Sequence, residues 1–84
     1  MASKISSPSI KQLNYFVAVA KHASYRRAAE ELRMSQPALT NQIAILESTL
    51  NTQLFERSRA GTLLSPSGRD LLDAARQVLL SMKE

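Results

Sequence analysis

The apolar residues of the segment 35–50 recur at the spacing of one face of an α-helix. They are Leu39, Ile43, Leu46 and Leu50. Ser35 stands before this run and is a favourable N-cap, because its hydroxyl can accept a hydrogen bond from an unpaired amide of the first turn. The pattern therefore predicts a capped helix over residues 35–50 with one buried face.

The opposite face of this predicted helix consists of polar or small residues. They are Pro37, Thr40, Asn41, Ala44 and Ser48, with Gln36 at the leading tip. Pro37 suits the first turn, where a missing N–H costs little. A helix that is narrow and polar on its outer face can lie in a nucleic-acid groove, which is the first functional hypothesis.

Serine caps also precede two shorter helical patterns. The first pattern covers residues 9–22, and its apolar positions are Ile10, Leu13, Phe16, Val17 and Ala20. The second runs from Tyr25 to about Arg33, follows Ser24, and ends one tight turn before the helix over 35–50. Two helices joined this closely predict a helix-turn-helix. A generic helical hairpin in a small bundle would show the same periodicity.

A β-hairpin is predicted after the third helix. Leu54–Arg57 is a strand candidate, Ser58–Gly61 is a turn, and Thr62–Ser65 is the return strand. A helix-turn-helix followed by a two-stranded hairpin is a winged helix. Arg57 and Arg59 would then be suited to contact phosphates or the minor groove, the alternative being an exposed hairpin with solubilising arginines.

The chain ends in a predicted helix that starts within Ser65-Pro66-Ser67-Gly68, with Ser65 or Ser67 as its cap. One apolar face of this helix consists of Leu71, Ala75, Val78 and Met82, widened by Leu72 and Leu79. This face is longer than so small a domain can cover, so we expect part of it to be exposed in a monomer and to mediate self-association. Packing entirely within its own domain is the alternative.

The size of the chain bounds its organisation. Its 84 residues make one domain with a modest core. Residues 1–8 are short, polar and rich in serine, and we expect them to be disordered.

The charge balance favours a polyanionic partner. Eleven Lys and Arg residues against seven Asp and Glu residues give a formal net charge of +4. Arg26, Arg27 and Arg33 form a basic cluster on the second helix and are candidates for phosphate contact. Glu30 and Glu31 stand four residues after the first two, so part of the cluster could instead be a solvated, ion-paired face.

The sequence shows no residue pattern that is typical of a catalytic site. The chain has no cysteine and a single histidine, His22, which we expect to interact with the dipole at the end of the first helix. No phosphate-binding loop, metal-ligand spacing or catalytic triad is recognisable, so neither an enzyme nor a metal or cofactor is predicted. No apolar run approaches the length of a membrane span, and a cytoplasmic location is expected.

Several short motifs occur at a spacing that is specific to one family. They are Leu13-x-Tyr15-Phe16-Val17-Ala18-Val19-Ala20, Ser24-Tyr25, Ala28-Ala29-Glu30-x-Leu32, Ser35-Gln36-Pro37-Ala38-Leu39, Gln42-Ile43, Leu46-Glu47, Leu50, Gln53-Leu54-Phe55-Glu56-Arg57 and Ser65-Pro66-x-Gly68. Together they closely resemble the N-terminal DNA-binding domain of LysR-type transcriptional regulators. The resemblance covers nearly all of residues 13–68, and the helix that follows resembles the linker helix of the family.

The resemblance implies a mainly α fold: a winged helix-turn-helix over residues 9–65 and a linker helix over 66–84 that dimerises. It implies a homodimer that binds interrupted dyad sites in promoter DNA and activates or represses transcription. Full-length members are longer and usually tetrameric, and a C-terminal domain binds a small-molecule effector. We therefore expect this chain to be a fragment that cannot sense an effector itself.

The resemblance also assigns roles to individual residues. Base contacts are expected from Gln36, Pro37, Thr40 and Asn41, and backbone or wing contacts from Ser35, Arg26, Arg27, Arg33, Arg57 and Arg59. Asn41 replaces an arginine that is common in the family, and Ala44 replaces a long basic or polar residue. Because no Lys or Arg occurs between Arg33 and Arg57, the recognition helix has no positive charge of its own. This keeps open the alternative of a winged-helix module that mainly binds protein.

Overall fold

Four helices and one β-hairpin make up residues 8–82, the part of the chain that the computed structural model describes. In chain order the elements are α1 (Ile10–His22), α2 (Tyr25–Leu32), α3 (Gln36–Leu50), β1 (Phe55–Ser58), β2 (Gly61–Leu64) and α4 (Pro66–Ser81). The mainly helical winged-helix class is confirmed. Of the segment 1–8 that was predicted to be disordered, residues 1–7 lie outside the described residues. None of the described helices is long and apolar enough to cross a membrane.

All four helices begin at a serine N-cap. The hydroxyls of Ser9, Ser24, Ser35 and Ser65 each accept a hydrogen bond from the amide three residues later. The first three helices end at left-handed residues that are not glycine, namely Ala23, Arg33 and Asn51. These caps account for the boundaries of the first three helices, which agree with the sequence prediction to within one residue. The last helix, predicted over residues 66–84, ends at Ser81, and residues 83–84 lie outside the described residues.

The hydrophobic core lies between α1 and the other helices. Its largest fully buried side chains are Phe16, Val19, Leu39, Ile43, Leu46 and Leu54. The turn between α2 and α3 is closed by the Met34 amide, which donates to the Ala29 carbonyl at 3.0 Å. The buried residues of α3 are thus the predicted apolar face, and its polar face remains outside.

The hairpin is antiparallel and pairs Phe55 with Leu64 and Ser58 with Gly61. The predicted strands were wrong by one residue at each end. Leu54 is fully buried and precedes β1 because its amide donates to a side chain of α3 instead of to a neighbouring strand. Ser65 follows β2 because it caps α4.

The start of α4 is tightly held against the segment before β1. The Ser65 hydroxyl donates to the Gln53 carbonyl at 2.6 Å and accepts from the Gly68 amide at 2.9 Å. A Cβ atom on Gly68 would lie 2.2 Å from the Leu54 carbonyl oxygen, so α4 can approach this closely only because residue 68 is glycine.

The apolar residues of α4 divide into two groups. Ala75 is 1% exposed and lies in the core of its own domain. Leu71, Leu72 and Leu79 are partly buried and pack against the same core. The remaining large apolar side chains are exposed: Val78, Leu80 and Met82. Four of the six residues of the predicted face therefore pack within the domain, and Val78 and Met82 at its C-terminal end are uncovered in the single chain.

Candidate nucleic-acid interface

The first two turns of α3 present the expected polar face to solvent. Gln36, Pro37, Thr40 and Asn41 are all exposed and, together with Ala44, line one shallow depression. The arrangement follows from the burial of the opposite apolar face. Two amides and a hydroxyl on this surface can donate and accept hydrogen bonds, and the proline ring offers an apolar edge.

Ser35 lies at the leading end of this surface, where its hydroxyl can both cap α3 and donate a hydrogen bond. Its oxygen accepts a hydrogen bond from the Ala38 amide at 3.1 Å and so caps α3. The same hydroxyl is exposed and still has a proton to donate. Capping therefore leaves the hydroxyl available to an acceptor such as a phosphate oxygen.

A larger groove of about 770 Å³ separates the start of α2, the exposed face of α3 and the wing. Gln36 and Thr40 line its α3 side, Arg26 lines the α2 side, and Arg57 lines the wing side. The groove thus brings together two predicted base contacts and two predicted phosphate contacts. Of the other arginines, Arg27, Arg33 and Arg59 are exposed but do not line it.

The ion pairs of α2 differ in part from the predicted ones. Arg26 pairs with Glu30 at 3.1 Å, as predicted from their spacing. The expected pair between Arg27 and Glu31 does not form among the described residues, because Glu31 turns to α1 and contacts Lys21 at 3.4 Å. Among the described residues, Arg27 and Arg33 are therefore the two arginines of this cluster that form no ion pair with a carboxylate.

His22 lies in the last turn of α1, as predicted, and makes a further contact that its position in the sequence did not predict. Its Nε2 atom lies 2.6 Å from a carboxylate oxygen of Glu31, so the ring links the end of α1 to α2. This hydrogen bond, with a smaller contribution from Lys21, lowers the pKa of Glu31. The histidine is thus held by a cross-helix contact in addition to any interaction with the helix dipole.

Glu47 fixes the wing to α3, a role that the sequence analysis missed. One of its carboxylate oxygens accepts hydrogen bonds from the amides of Leu54 at 2.8 Å and Phe55 at 3.4 Å. A charged acceptor for two otherwise unpaired amides is a strong local constraint. The sequence feature from which this role could have been predicted is that Glu47 is the only charged residue of α3.

The wing has a second attachment at the turn between α1 and α2. The Thr62 amide donates to the Ala23 carbonyl at 3.3 Å. Gly61 has a φ of +128°, and a Cβ atom there would lie 3.1 Å from that same carbonyl oxygen. Both attachments set the position of Arg57 relative to the polar face of α3.

Tyr25 is a second residue of the groove that the sequence analysis missed. Its ring packs edge-on against Phe55 with a centroid separation of 5.9 Å. Burial and the nearby Glu47 carboxylate raise the pKa of its hydroxyl to about 12, although Arg57 acts in the opposite direction. The phenol therefore keeps its proton near neutral pH and is a hydrogen-bond donor.

Comparison with known proteins identifies this arrangement. Residues 10–69 match the family described as "Bacterial regulatory helix-turn-helix protein, lysR family". Over 84 residues the chain is 42% identical to the HTH-type transcriptional regulator CfxR of Cupriavidus necator, covering all of this chain and 26% of that relative. The chain thus spans about a quarter of the length of this curated relative.

Two solved structures have the same fold over most of their length. The CbnR DBD–DNA complex gives a TM-score of 0.85 at 38% identity, covering 90% of this chain and 87% of that one. The BenM DBD/catB site 1 DNA complex gives 0.87 at 34% identity, covering 90% of this chain and 85% of that one. On this similarity, and on a family match over more than half of its residues, the chain belongs to the lysR family of bacterial regulatory helix-turn-helix proteins.

Proposed function

We propose that this chain binds double-stranded DNA sequence-specifically as the DNA-binding domain of a LysR-type transcriptional regulator. The observation that carries the proposal is the exposed face of α3, where Gln36, Pro37, Thr40 and Asn41 lie together. In this proposal α3 enters the major groove, which admits a helix and displays a distinct pattern of donors and acceptors for each base pair. The DNA complexes of the CbnR and BenM domains support the same class of ligand.

The proposed base contacts follow from side-chain chemistry. Gln36 and Asn41 carry amides that match the N6 and N7 atoms of adenine, and Pro37 offers an apolar edge to a thymine methyl group. Thr40 donates to a base or a phosphate. With Asn41 in place of the usual arginine, we expect the preferred sequence to differ from that of most family members.

The proposed electrostatic contacts lie outside α3. Arg26 and Arg57 border the groove from opposite sides, and Arg27, Arg33 and Arg59 are exposed on α2 and the wing. Phosphate contacts fix register and orientation without carrying sequence information. A recognition helix that has no positive charge, with arginines on the neighbouring elements, therefore separates affinity from specificity.

A salt titration tests this separation. If a dimer neutralises about 6–10 phosphates, its affinity should fall by roughly 10³–10⁵ between about 50 and 200 mM salt. Arg57→Ala should weaken binding to all sequences and reduce the slope of log K against log salt by about 0.9 per protomer. Fluorescence anisotropy with a labelled duplex measures both quantities.

The control is Arg76→Ala, which removes an exposed cation of α4 outside the groove and should leave the slope unchanged. An unaltered slope for Arg57→Ala would remove Arg57 from the phosphate contacts.

The exposed end of α4 supports a homodimer. Val78 and Met82 are 41% and 61% exposed although both belong to one apolar face of the helix. Burying such side chains against a second copy would remove apolar surface from water. Two copies related by a two-fold axis would then bind the two halves of an interrupted dyad site.

Substitution of Val78 tests the dimer. In Val78→Glu a charge would have to be buried in the proposed interface, so this variant should sediment as a monomer at concentrations where the unaltered chain is a dimer. The matched control is Gln77→Glu, which adds the same charge at the neighbouring exposed position and should remain dimeric. Monomers in all three samples at high concentration would show that this end of α4 does not mediate self-association.

We also propose from the family the cellular location of the regulator and the place of its effector site and tetramer contacts. A regulator of this kind acts in the cytoplasm, where it reaches promoter DNA, and its effector site and tetramer contacts would belong to a domain outside these residues. This chain would then supply DNA recognition and dimerisation alone, with no catalytic role.

A further inference from the structure

The Tyr25 side chain lines the groove between α2, α3 and the wing, and its ring packs against Phe55. Its ring meets Phe55 edge-on at 69°, and Phe55 in turn packs on the buried Phe16 at 5.3 Å. Aromatic contacts of this kind fix the plane and position of a ring. The direction of the phenol is therefore set before any ligand binds.

The hydroxyl of Tyr25 has no protein partner within residues 8–82. No hydrogen bond joins it to another described residue. The described residues also contain no buried side-chain nitrogen or oxygen that lacks a partner. An unpaired hydroxyl on this half-buried residue must therefore reach solvent, and the space beside it is the groove.

The groove beside the hydroxyl contains two arginines and the carboxylate of Glu47, which acts on the phenol more strongly than Arg57 does. Arg26 and Arg57 line the same groove, and the charge of Arg57 is close enough to act on the phenol. Glu47 is also near, but one of its oxygens is already occupied by two backbone amides. A phosphate in this groove would meet the neutral phenol donor and the charge of Arg57, together with Arg26, which is itself paired with Glu30 at 3.1 Å.

We propose that the Tyr25 hydroxyl donates a hydrogen bond to a backbone phosphate of the bound DNA. The inference rests on the proposed function, and it adds a contact that neither the charge pattern nor the recognition helix predicts. Because the phenol is neutral, this contact releases no counterion. It therefore contributes affinity without contributing to the salt dependence, in contrast to Arg57.

The test is the affinity of Tyr25→Phe for a mixed-sequence duplex, measured by anisotropy across the same salt range. The substitution keeps the ring contact with Phe55 and removes only the hydroxyl. We expect binding to weaken about tenfold per protomer at every salt concentration, with an unchanged slope, since a hydrogen bond to a charged group is of that strength. Tyr15→Phe removes the hydroxyl of the chain's other tyrosine, which does not line the groove, and should bind like the unaltered chain.

Three results would overturn the inference. Equal affinity of Tyr25→Phe and the unaltered chain would show that the hydroxyl makes no contact with DNA. A reduced salt slope would show that the loss acts through displacement of Arg57. A lower melting temperature with unchanged affinity would assign the hydroxyl to Glu47 and to stability. The proposed function would survive all three, whereas failure of the unaltered chain to bind DNA at low salt would overturn both.

Discussion

Gln36→Ala should lose about 1–3 kcal/mol of discrimination between a selected binding sequence and a scrambled duplex, because a bidentate amide contact to a base contributes that much. Gln36 is exposed at the first position of α3 and lines both the depression on α3 and the larger groove. The substitution removes the amide without adding bulk or charge. The loss should therefore appear on the selected sequence and be small on the scrambled one.

The measurement is the ratio of the two dissociation constants at one salt concentration. Gln77→Ala is the matched control, since it removes the same side chain from an exposed position of α4 outside the groove, and its ratio should equal that of the unaltered chain. Equal losses on both duplexes would mean that Gln36 only positions the protein on the DNA backbone.

Gly68→Ala should lower the free energy of unfolding by about 3 kcal/mol, the upper end of the usual cost of adding atoms to a well-packed site. The added Cβ atom would lie 2.2 Å from the Leu54 carbonyl oxygen and 3.0 Å from a methyl carbon of Leu64. The carbonyl belongs to the backbone and accepts from the Ser65 amide at 2.9 Å, so it cannot move without disturbing the start of α4. In a small domain this is a large share of the total stability.

Urea denaturation followed by circular dichroism measures the change. Ser67→Ala is the control, because it adds alanine at the exposed neighbouring position of the same helical turn and should change stability by less than about 0.5 kcal/mol. A similarly small effect for Gly68→Ala would mean that α4 can move away from Leu54 without cost.

The helices were predictable because local signals agreed with the packing. Each of the four serine caps stands directly before a run with helical periodicity, and Asn51 tolerates the left-handed conformation that ends α3. The strands were less well predicted because their limits depend on distant residues. Leu54 belongs to the core and Ser65 to the next helix, and neither fact is encoded in the alternation of apolar and polar residues.

In the candidate site, too, some residues could be predicted from local signals and others could not. The exposed face of α3 follows from periodicity alone, since a buried apolar face leaves the opposite face outside. The roles of Glu47 and Tyr25 do not follow from periodicity, because both depend on contacts that form when the wing folds back on α2 and α3. The pair that spacing predicted between Arg27 and Glu31 does not form among the described residues, because the exposed Glu31 carboxylate contacts α1 instead. Spacing along one helix therefore does not decide which of two neighbouring helices provides the partner.

The central claim is that a recognition helix without positive charge provides specificity while arginines outside it provide affinity. The most direct test is to select bound duplexes from random DNA with the unaltered chain and to measure the affinity of the selected and scrambled sequences across the salt range. The account predicts a tighter complex with the selected sequence and nearly parallel salt dependences for the two duplexes, because the same arginines contact both. No enrichment of any sequence, or no binding to either duplex even at low salt, would contradict it and favour a module that binds protein.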